Sequence, residues 1–372
     1  MATILLGDIV QNIKEVVNPK TCGLDKFVGL EHYDAGEPMI TRYGSPEKLD
    51  TNVKHFCKGD ILVARRNVYL KRAGYVDFEG VTSGDSIVLR VTNPMYQRIL
   101  PFILNTDDFW DYAEQNADGT MSKRLSPDDL LDYEFEEPED KEVLAEKLWA
   151  AYRVKEAYRQ LLSTTDDMLK AKFQEMFGDP FDCNVRSKVQ LGSICTLNPR
   201  KTQKYDENTK VSFFPMDVVP EDGRSIELPS RLYKEVSKGF TFAEEGDVIF
   251  AKITPCMENG KGTILRNLSS KIGFGSTEFH VLRPIENVTT AEYLYVLISL
   301  PLFRKEAEKN MTGSGGQRRV PISFISDFFV AKPDFQKQKE FVSIYAQTET
   351  TKASLRASIE AIDRVIRSLI NQ

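Results

Sequence analysis

Apolar positions fall into two patterns along this chain. From about Glu139 to Phe177, and again from about Phe335 to Asn371, there is no Pro or Gly, and Ala, Leu, Glu, Lys and Gln dominate, which predicts two long helices. In the second, Phe341, Tyr345, Thr348, Lys352, Leu355, Ile359, Ile362, Ile366 and Leu369 alternate spacings of four and three. The first follows suit through Leu144, Leu148, Ala151, Lys155, Tyr158, Leu162, Thr165, Leu169 and Lys172. Sustained four-three spacing predicts a coiled-coil seam. Helices this long reach about 50 Å at roughly 1.5 Å per residue, more than a compact core needs, so they read as spacers. Lys155 and Lys352 hold matching places in the seam. Either they fix its register at some cost in stability, or their stems pass along it and leave the ammonium in water.

The remaining chain shows short β-branched runs bounded by turn residues, and these occur twice. Leu6-Gly7-Asp8-Ile9-Val10 is matched by Leu191-Gly192-Ser193-Ile194-Cys195, each read as a short strand entering a loop and followed by Asn-Pro at Asn18-Pro19 and Asn198-Pro199. Lys58-Gly59-Asp60-Ile61-Leu62-Val63-Ala64-Arg65 is matched by Glu245-Gly246-Asp247-Val248-Ile249-Phe250-Ala251-Lys252, a Gly-Asp turn feeding a buried strand that ends in a cation. The strands ending at Arg90 and Arg283 form a third pair. In a fourth, Arg124, Leu125, Leu130, Asp132, Tyr133 and Pro138 align with Arg319, Val320, Ile325, Asp327, Phe328 and Pro333. Gly178-Asp179-Pro180 marks the boundary between copies. The expected organisation is a first domain over 1–137, a helix over 138–182, a second domain over 183–333 and a second helix over 334–372.

Composition narrows the class. At 372 residues the chain suits two domains, and 41% hydrophobic with 28% charged residues is ordinary for a globular protein. No apolar run is long enough to span a bilayer, and the N-terminus lacks the basic start of a signal peptide, so a cytoplasmic location is expected. Five cysteines, none at CxxC spacing, read as free thiols, and with only three histidines no metal site is expected. The net charge of −6 means that any polyanion must be met by local basic patches.

No nucleotide-binding glycine motif, zinc-protease motif, nucleophile elbow or methyltransferase tetrapeptide is visible, so no catalytic residue is assigned. Asp247 with Lys252 resembles a metal-dependent nuclease core only loosely: the spacing is wrong, and the first copy carries Arg65 in place of the lysine. The acidic run from Asp128 to Asp140 reads as a solvated or partner-facing start of the first long helix. Three stretches combine cations with polar and aromatic groups suited to phosphates and base edges. They are Arg65, Arg66, Asn67, Tyr69, Lys71 and Arg72; Lys252, Thr254 and Lys261, with Asn259 and Arg266 nearby; and the glycine loop Ser314, Gly315, Gly316, Gln317, Arg318 and Arg319. These are the candidate DNA-binding residues.

With these features in this order, the chain resembles the specificity subunits of type I restriction-modification systems. The resemblance rests on the duplicated Leu-Gly-Asp/Ser-Ile opening, the Phe-x-x-Gly-Asp strand at Phe56 with its counterpart at Phe242, one residue further from its Gly-Asp, the Ser-Gly-Gly-Gln loop before Val320 and the two helices, and it spans nearly the whole chain. It implies a non-catalytic, sequence-specific DNA-binding subunit with two mixed α/β target-recognition domains, an antiparallel coiled coil and a pseudo-two-fold internal repeat. Each domain is then expected to read half of a bipartite double-stranded DNA target. Two methyltransferase subunits, and restriction subunits, are the implied partners, with S-adenosylmethionine and ATP held by them and no cofactor in this chain. The first copy departs from the pattern: Gly119-Thr120-Met121-Ser122-Lys123-Arg124 stands where the second has its fuller glycine loop. The alternative reading is a self-contained restriction enzyme or nuclease.

Overall fold

The computed structural model describes residues 2–119, 122–181, 188–314, 316–331 and 334–370. The chain forms two compact units, the first from Met1–Tyr158 with Ala357–Gln372 and the second from Arg159–Arg356. The long helices, Lys141–Phe177 and Phe335–Ile370, therefore each contribute a segment to both units. Asn371 and Pro333 of the expected repeat lie outside the described residues.

Strands of the first unit are β1 (Thr3–Leu5), β2 (Val10–Ile13), β3 (Val16–Val17), β4 (Phe27–Val28), β5 (Val53–Phe56), β6 (Ile61–Ala64), β7 (Ala73–Tyr75), β8 (Gly80–Thr82), β9 (Ser86–Val91) and β10 (Glu134–Glu136). They form an antiparallel sheet in the order β2-β9-β6-β7, a mixed sheet in the order β3-β5-β8-β4 and the pair β1-β10. The core gathers on one face of the first sheet. Ile61, Val63, Ile87 and Leu89 point into it, with Phe102, Phe109 and Trp110 from the helical segment that follows. Leu62, Ala64 and Val88, one residue out of step, face the second sheet with Val28 and Phe56. Alternation along a strand explains why one apolar run serves two cores.

The second unit contains β11 (Lys188–Gln190), β12 (Cys195–Leu197), β13 (Lys210–Phe214), β14 (Ser230–Leu232), β15 (Thr241–Glu244), β16 (Val248–Ala251), β17 (Gly262–Ile264), β18 (Ile272–Gly275), β19 (Phe279–Pro284) and β20 (Phe329–Ala331). The order β12-β19-β16-β17 repeats the first sheet of the other unit, and β11-β20 repeats β1-β10. In the mixed sheets, β13-β18-β15 corresponds to β4-β8-β5, including the parallel pair. The copies diverge at the edge, where the extra strand is β14 beside β13 in one and β3 beside β5 in the other.

The Gly-Asp turn is what both copies keep. Gly59 and Gly246 take φ of 100° and 90°, a left-handed region that a side chain disfavours. The turn folds the next carboxylate inward. Asp60 accepts from Cys57 N at 2.8 Å and from Arg90 Nε and Nη2 at 2.8 and 2.7 Å. Asp247 accepts from Glu244 N at 2.7 Å and from Arg283 Nε and Nη2 at 2.8 Å each. Each buried carboxylate thus ties the turn before β6 or β16 to the end of the neighbouring strand, and its pull raises the pKa of both arginines.

Two sequence expectations change. The Leu-Gly-Asp/Ser-Ile opening is a helical turn, Leu6–Ile9 and Leu191–Ser193, following a strand in each unit. Leu6 N and Leu191 N donate to Tyr133 O and Phe328 O at 2.8 Å, and this contact ends the strand pairing. A Cβ on Gly7 would meet Leu131 O at 3.2 Å, and one on Gly192 would meet Ser326 O at 3.1 Å, so the glycine permits close packing. Most of the acidic run lies ahead of the long helix, and only Glu139 and Asp140 adjoin it, Asp140 O accepting from Leu144 N at 2.8 Å. Asp128 and Asp129 occupy the first turn of a short helix, Pro127–Leu131, and Glu134 and Glu136 lie on β10. There they favour the N-terminal end of that short helix instead.

Within the second unit the helical segments run antiparallel: Asp166 meets Lys352, and Phe173 packs on Phe341 at a ring-centroid separation of 5.4 Å. The seam lysines do not pass out to water. Lys155 is 4% exposed and pairs with Glu37 at 2.7 Å and Asp363 at 2.5 Å; Lys352 is 3% exposed and pairs with Asp166 at 2.7 Å and Glu349 at 2.8 Å. Leu169 and Leu355 are buried as expected, whereas Tyr158, Leu162, Ile359, Ile362 and Ile366 are only part-buried. Two helices cover only a strip of one another, so much of such a seam stays wet.

Burial alone would lower the Lys352 pKa, but Asp166 and Glu349 outweigh it and the net shift is upward. Lys352→Met strands two carboxylates at a buried site, and we expect it to cost about 3 kcal/mol. Adding Asp166→Leu should recover part of that stability. Urea denaturation followed by circular dichroism checks this, and an unchanged midpoint in Lys352→Met would show that the triad contributes nothing.

Candidate nucleic-acid interface

The second unit brings its two candidate segments side by side, and the first brings its single candidate segment beside the counterpart of the glycine loop. In the first, the chain leaving β6 carries Arg65, Arg66 and Asn67 into a turn at Val68–Leu70, and the segment ending at Arg124 folds back against it through a bridge between Arg66 and Arg124. Asn67 and Lys71, at φ of 54° and 48°, flank that turn. Tyr69 at its tip is 59% exposed, an open aromatic face beside cations.

Not every cation here is available. Arg65 Nε donates to Leu125 O at 3.1 Å, and Arg72 donates to Leu30 O and Arg66 O at 3.0 and 3.1 Å, so both brace the backbone. Burial of Arg72 also lowers its pKa. Lys71 Nζ donates to Asp107 at 2.6 Å. Arg66 is exposed, donates to Ser122 Oγ at 3.0 Å and lies 3.6 Å from Asp85; Arg124 approaches the same carboxylate at 3.3 Å. Sequence alone does not select Arg124 as a contact residue. Its alignment with Arg319 is the signal that points to it.

In the second unit, the chain leaving β16 pairs with the glycine loop through a bridge between Ile253 and Arg319, and a bridge between Thr312 and Arg319 closes that loop. The first unit closes its loop likewise, between Asp118 and Arg124. Both loops open on a left-handed glycine, Gly119 at φ 111° and Gly313 at φ 120°. The departure seen in sequence therefore changes the loop's length and side chains, while its closure is kept. Ser314, Gly316 and Gln317 are exposed, and Gly315 lies outside the described residues.

Arg319 donates two bonds to Glu278, at 2.9 and 2.8 Å, which lowers the Glu278 pKa and raises its own. Arg318 lies 3.7 Å from Glu258. Lys261 Nζ is taken up by Met216 O at 2.9 Å, Thr254 Oγ1 donates to Glu258 at 3.1 Å, and Lys252 is half-buried with its backbone bonded to Glu278 O and Val320 N. Arg266 reaches Glu292 instead, at 2.6 Å. Beneath the loop His280 is buried and its Nε2 donates to Val320 O at 2.8 Å, burial lowering its pKa so that it stays neutral. The groups brought together at the surface are thus the exposed Arg66, Tyr69 and Arg124 in one unit, and in the other the exposed Ser314 and Gln317 with the half-buried Arg318 and Arg319.

Residues 186–364 match the model of the type I restriction modification DNA specificity domain. The match lies in the second half of the chain. Two specificity subunits from Escherichia coli are similar to it. The type I restriction enzyme EcoAI specificity subunit is 35% identical over 186 residues, covering 48% of this chain and 31% of that protein. The EcoEI specificity subunit is 32% identical over 188 residues, covering 49% and 31%. The chain spans about a third of the length of these relatives in the matched region. A solved structure from a study of complex assembly and conformational transition in a type I restriction-modification system matches 100% of this chain and 96% of its own at TM-score 0.50 and 16% identity, a likeness of fold. The first half, which the family model leaves unmatched, has the same order in its first sheet as the second half.

The carboxylate of Glu278 sits where an incoming phosphate would compete for Arg319. Glu278→Gln should free that arginine and remove a repelling charge, raising affinity for random-sequence duplex by about three- to tenfold at low salt and less as salt rises. Fluorescence anisotropy across a salt series checks this, with a decrease in affinity as the contrary result.

Proposed function

We propose that this protein is the sequence-reading subunit of a type I restriction-modification assembly, each unit reading one half of a bipartite DNA target. The observation that carries this is the duplicated pairing of a cation-bearing strand exit with a closed loop, in a chain whose residues 186–364 match the specificity-domain model. Arg66 and Arg124, and Arg318 and Arg319, neutralise phosphates, while Gln317, Ser314, Asn67 and Tyr69 reach base edges. The chemistry belongs elsewhere: methyltransferase subunits, two of them, hold S-adenosylmethionine, and restriction subunits hold ATP. Partner enzymes flip and methylate the target base. No helix among the described residues is long and apolar enough to cross a membrane, and we place the protein in the cytoplasm with its DNA.

The alternative of a self-contained nuclease has little support. Its best candidate acid, Asp247, is buried with both oxygens taken by Arg283 and Glu244 N, so that this carboxylate is not open toward a metal.

Two measurements test the proposal. Replacing Arg318 and Arg319 together by Ala should weaken binding to duplex DNA and flatten the dependence of log affinity on log salt by about 0.9 for each phosphate that is no longer neutralised. Unchanged affinity and slope would make the loop ordinary surface. Deleting the gene from its host, with the partner methyltransferase still expressed, should erase a bipartite methylation pattern read by whole-genome modification sequencing. Persistence of every such pattern would overturn the assignment.

A further inference from the structure

We propose that the first unit carries a metal site for a zinc-class divalent cation, formed by His55, Cys57 and Glu79. Sequence spacing gives no zinc motif, because the ligands come from two strands. Antiparallel β5 and β8 place His55 opposite Val81 and Phe56 opposite Gly80, which brings Cys57, just past β5, beside Glu79, just before β8. His55 and Cys57, two residues apart, share a face of the sheet, opposite to the fully buried Phe56. One ligand atom from each of the three residues lies within 4.8 Å of the others. Tetrahedral bonds of about 2.0–2.3 Å to nitrogen, oxygen and sulfur require separations of about 3.3–3.8 Å, so small side-chain rotations complete the site.

The donors suit such a cation: one imidazole, one thiol and one carboxylate, with the fourth position left for water. The surroundings are those of an oriented ligand. His55 Nε2 is 2.8 Å from Glu79, and Nδ1 on the other side of the ring is 3.0 Å from Glu15, close enough to pair but not aligned for a hydrogen bond. A cation held by Nε2, Cys57 Sγ and Glu79 leaves Nδ1 facing Glu15, and a small rotation of the ring or carboxylate then aligns the carboxylate–histidine–metal arrangement that fixes ring and tautomer. Glu15 is itself anchored, since its carbonyl accepts from His55 N at 3.0 Å. Cys57 is anchored too, since its N donates to Asp60 at 2.8 Å. Bound there, the cation clips β5 to β8 at the turn that leads into β6 and the recognition loop.

The test uses the full chain, freed of metal by a chelator and then titrated with Co2+ and, by competition, Zn2+. One Co2+ per chain should bind with the visible bands of a tetrahedral site and a near-ultraviolet thiolate-to-cobalt band. Cys57→Ser should abolish the thiolate band, and His55→Gln and Glu79→Gln should each weaken Zn2+ binding more than tenfold. Glu15→Gln should weaken it by about ten- to a hundredfold through removal of the orienting carboxylate. Cys256→Ser, with its thiol in the other unit, should change nothing. If His55→Gln does not fold, by circular dichroism, Cys57→Ser decides alone. No saturable Co2+ binding, or a spectrum that Cys57→Ser leaves unaltered, overturns the site.

Discussion

The loops that follow β6 and β16 both depend on a buried carboxylate held by an arginine. Asp60 and Asp247 sit at the base of β6 and β16, and each gathers a backbone amide from the preceding turn and a two-pronged guanidinium from the adjacent strand. An ion pair with one partner so well sealed is stiff: removing either member leaves a charge that the apolar core cannot solvate. Strand register is fixed there, and the far ends of β6 and β16, where Arg65 and Lys252 emerge, inherit it. The loops that close against those ends are positioned by the clamp at the opposite end of the strand.

A second device repeats in the helices. Lys155 faces Asp363 in one unit, Lys352 faces Asp166 in the other, and the two helices exchange roles between the pairs. A buried lysine demands a carboxylate opposite it, and a shift of register by one turn would remove that carboxylate. The pairs therefore specify alignment more than they add stability. Both units follow one plan of sheets, and a duplicated pair of register-setting contacts is one way a single chain keeps its two halves equivalent.

The basic patches are less open than their sequence suggests. Arg65, Arg72 and Lys261 are bonded to carbonyls, Lys71 and Arg319 to carboxylates, and only part of each patch faces solvent unpaired with backbone. Cations held by carboxylates avoid much of the entropic cost of ordering when a phosphate arrives, because the side chain is already extended and a competing anion only replaces another.

Periodicity and repetition in the sequence determined the helices to within a few residues, the strands after each Gly-Asp turn, the duplication and the closed loops, because each rests on local stereochemistry: spacing of apolar residues, a glycine at positive φ, a proline beyond a helix end. Tertiary structure decided which charges were free. Nothing local says that Arg72 will meet Leu30 O or that Arg319 will meet Glu278, since those partners lie 42 and 41 residues away and are chosen by strand order. The same holds for Lys155 and Lys352, whose surroundings come from a distant helix, and for the opening Leu-Gly-Asp/Ser-Ile, which looks like a strand until Tyr133 or Phe328 captures its first amide. His55, Cys57 and Glu79 converge only because β5 pairs with β8 in one register, and pairing across strands is set by the packing of whole sheets, which no spacing along the chain records.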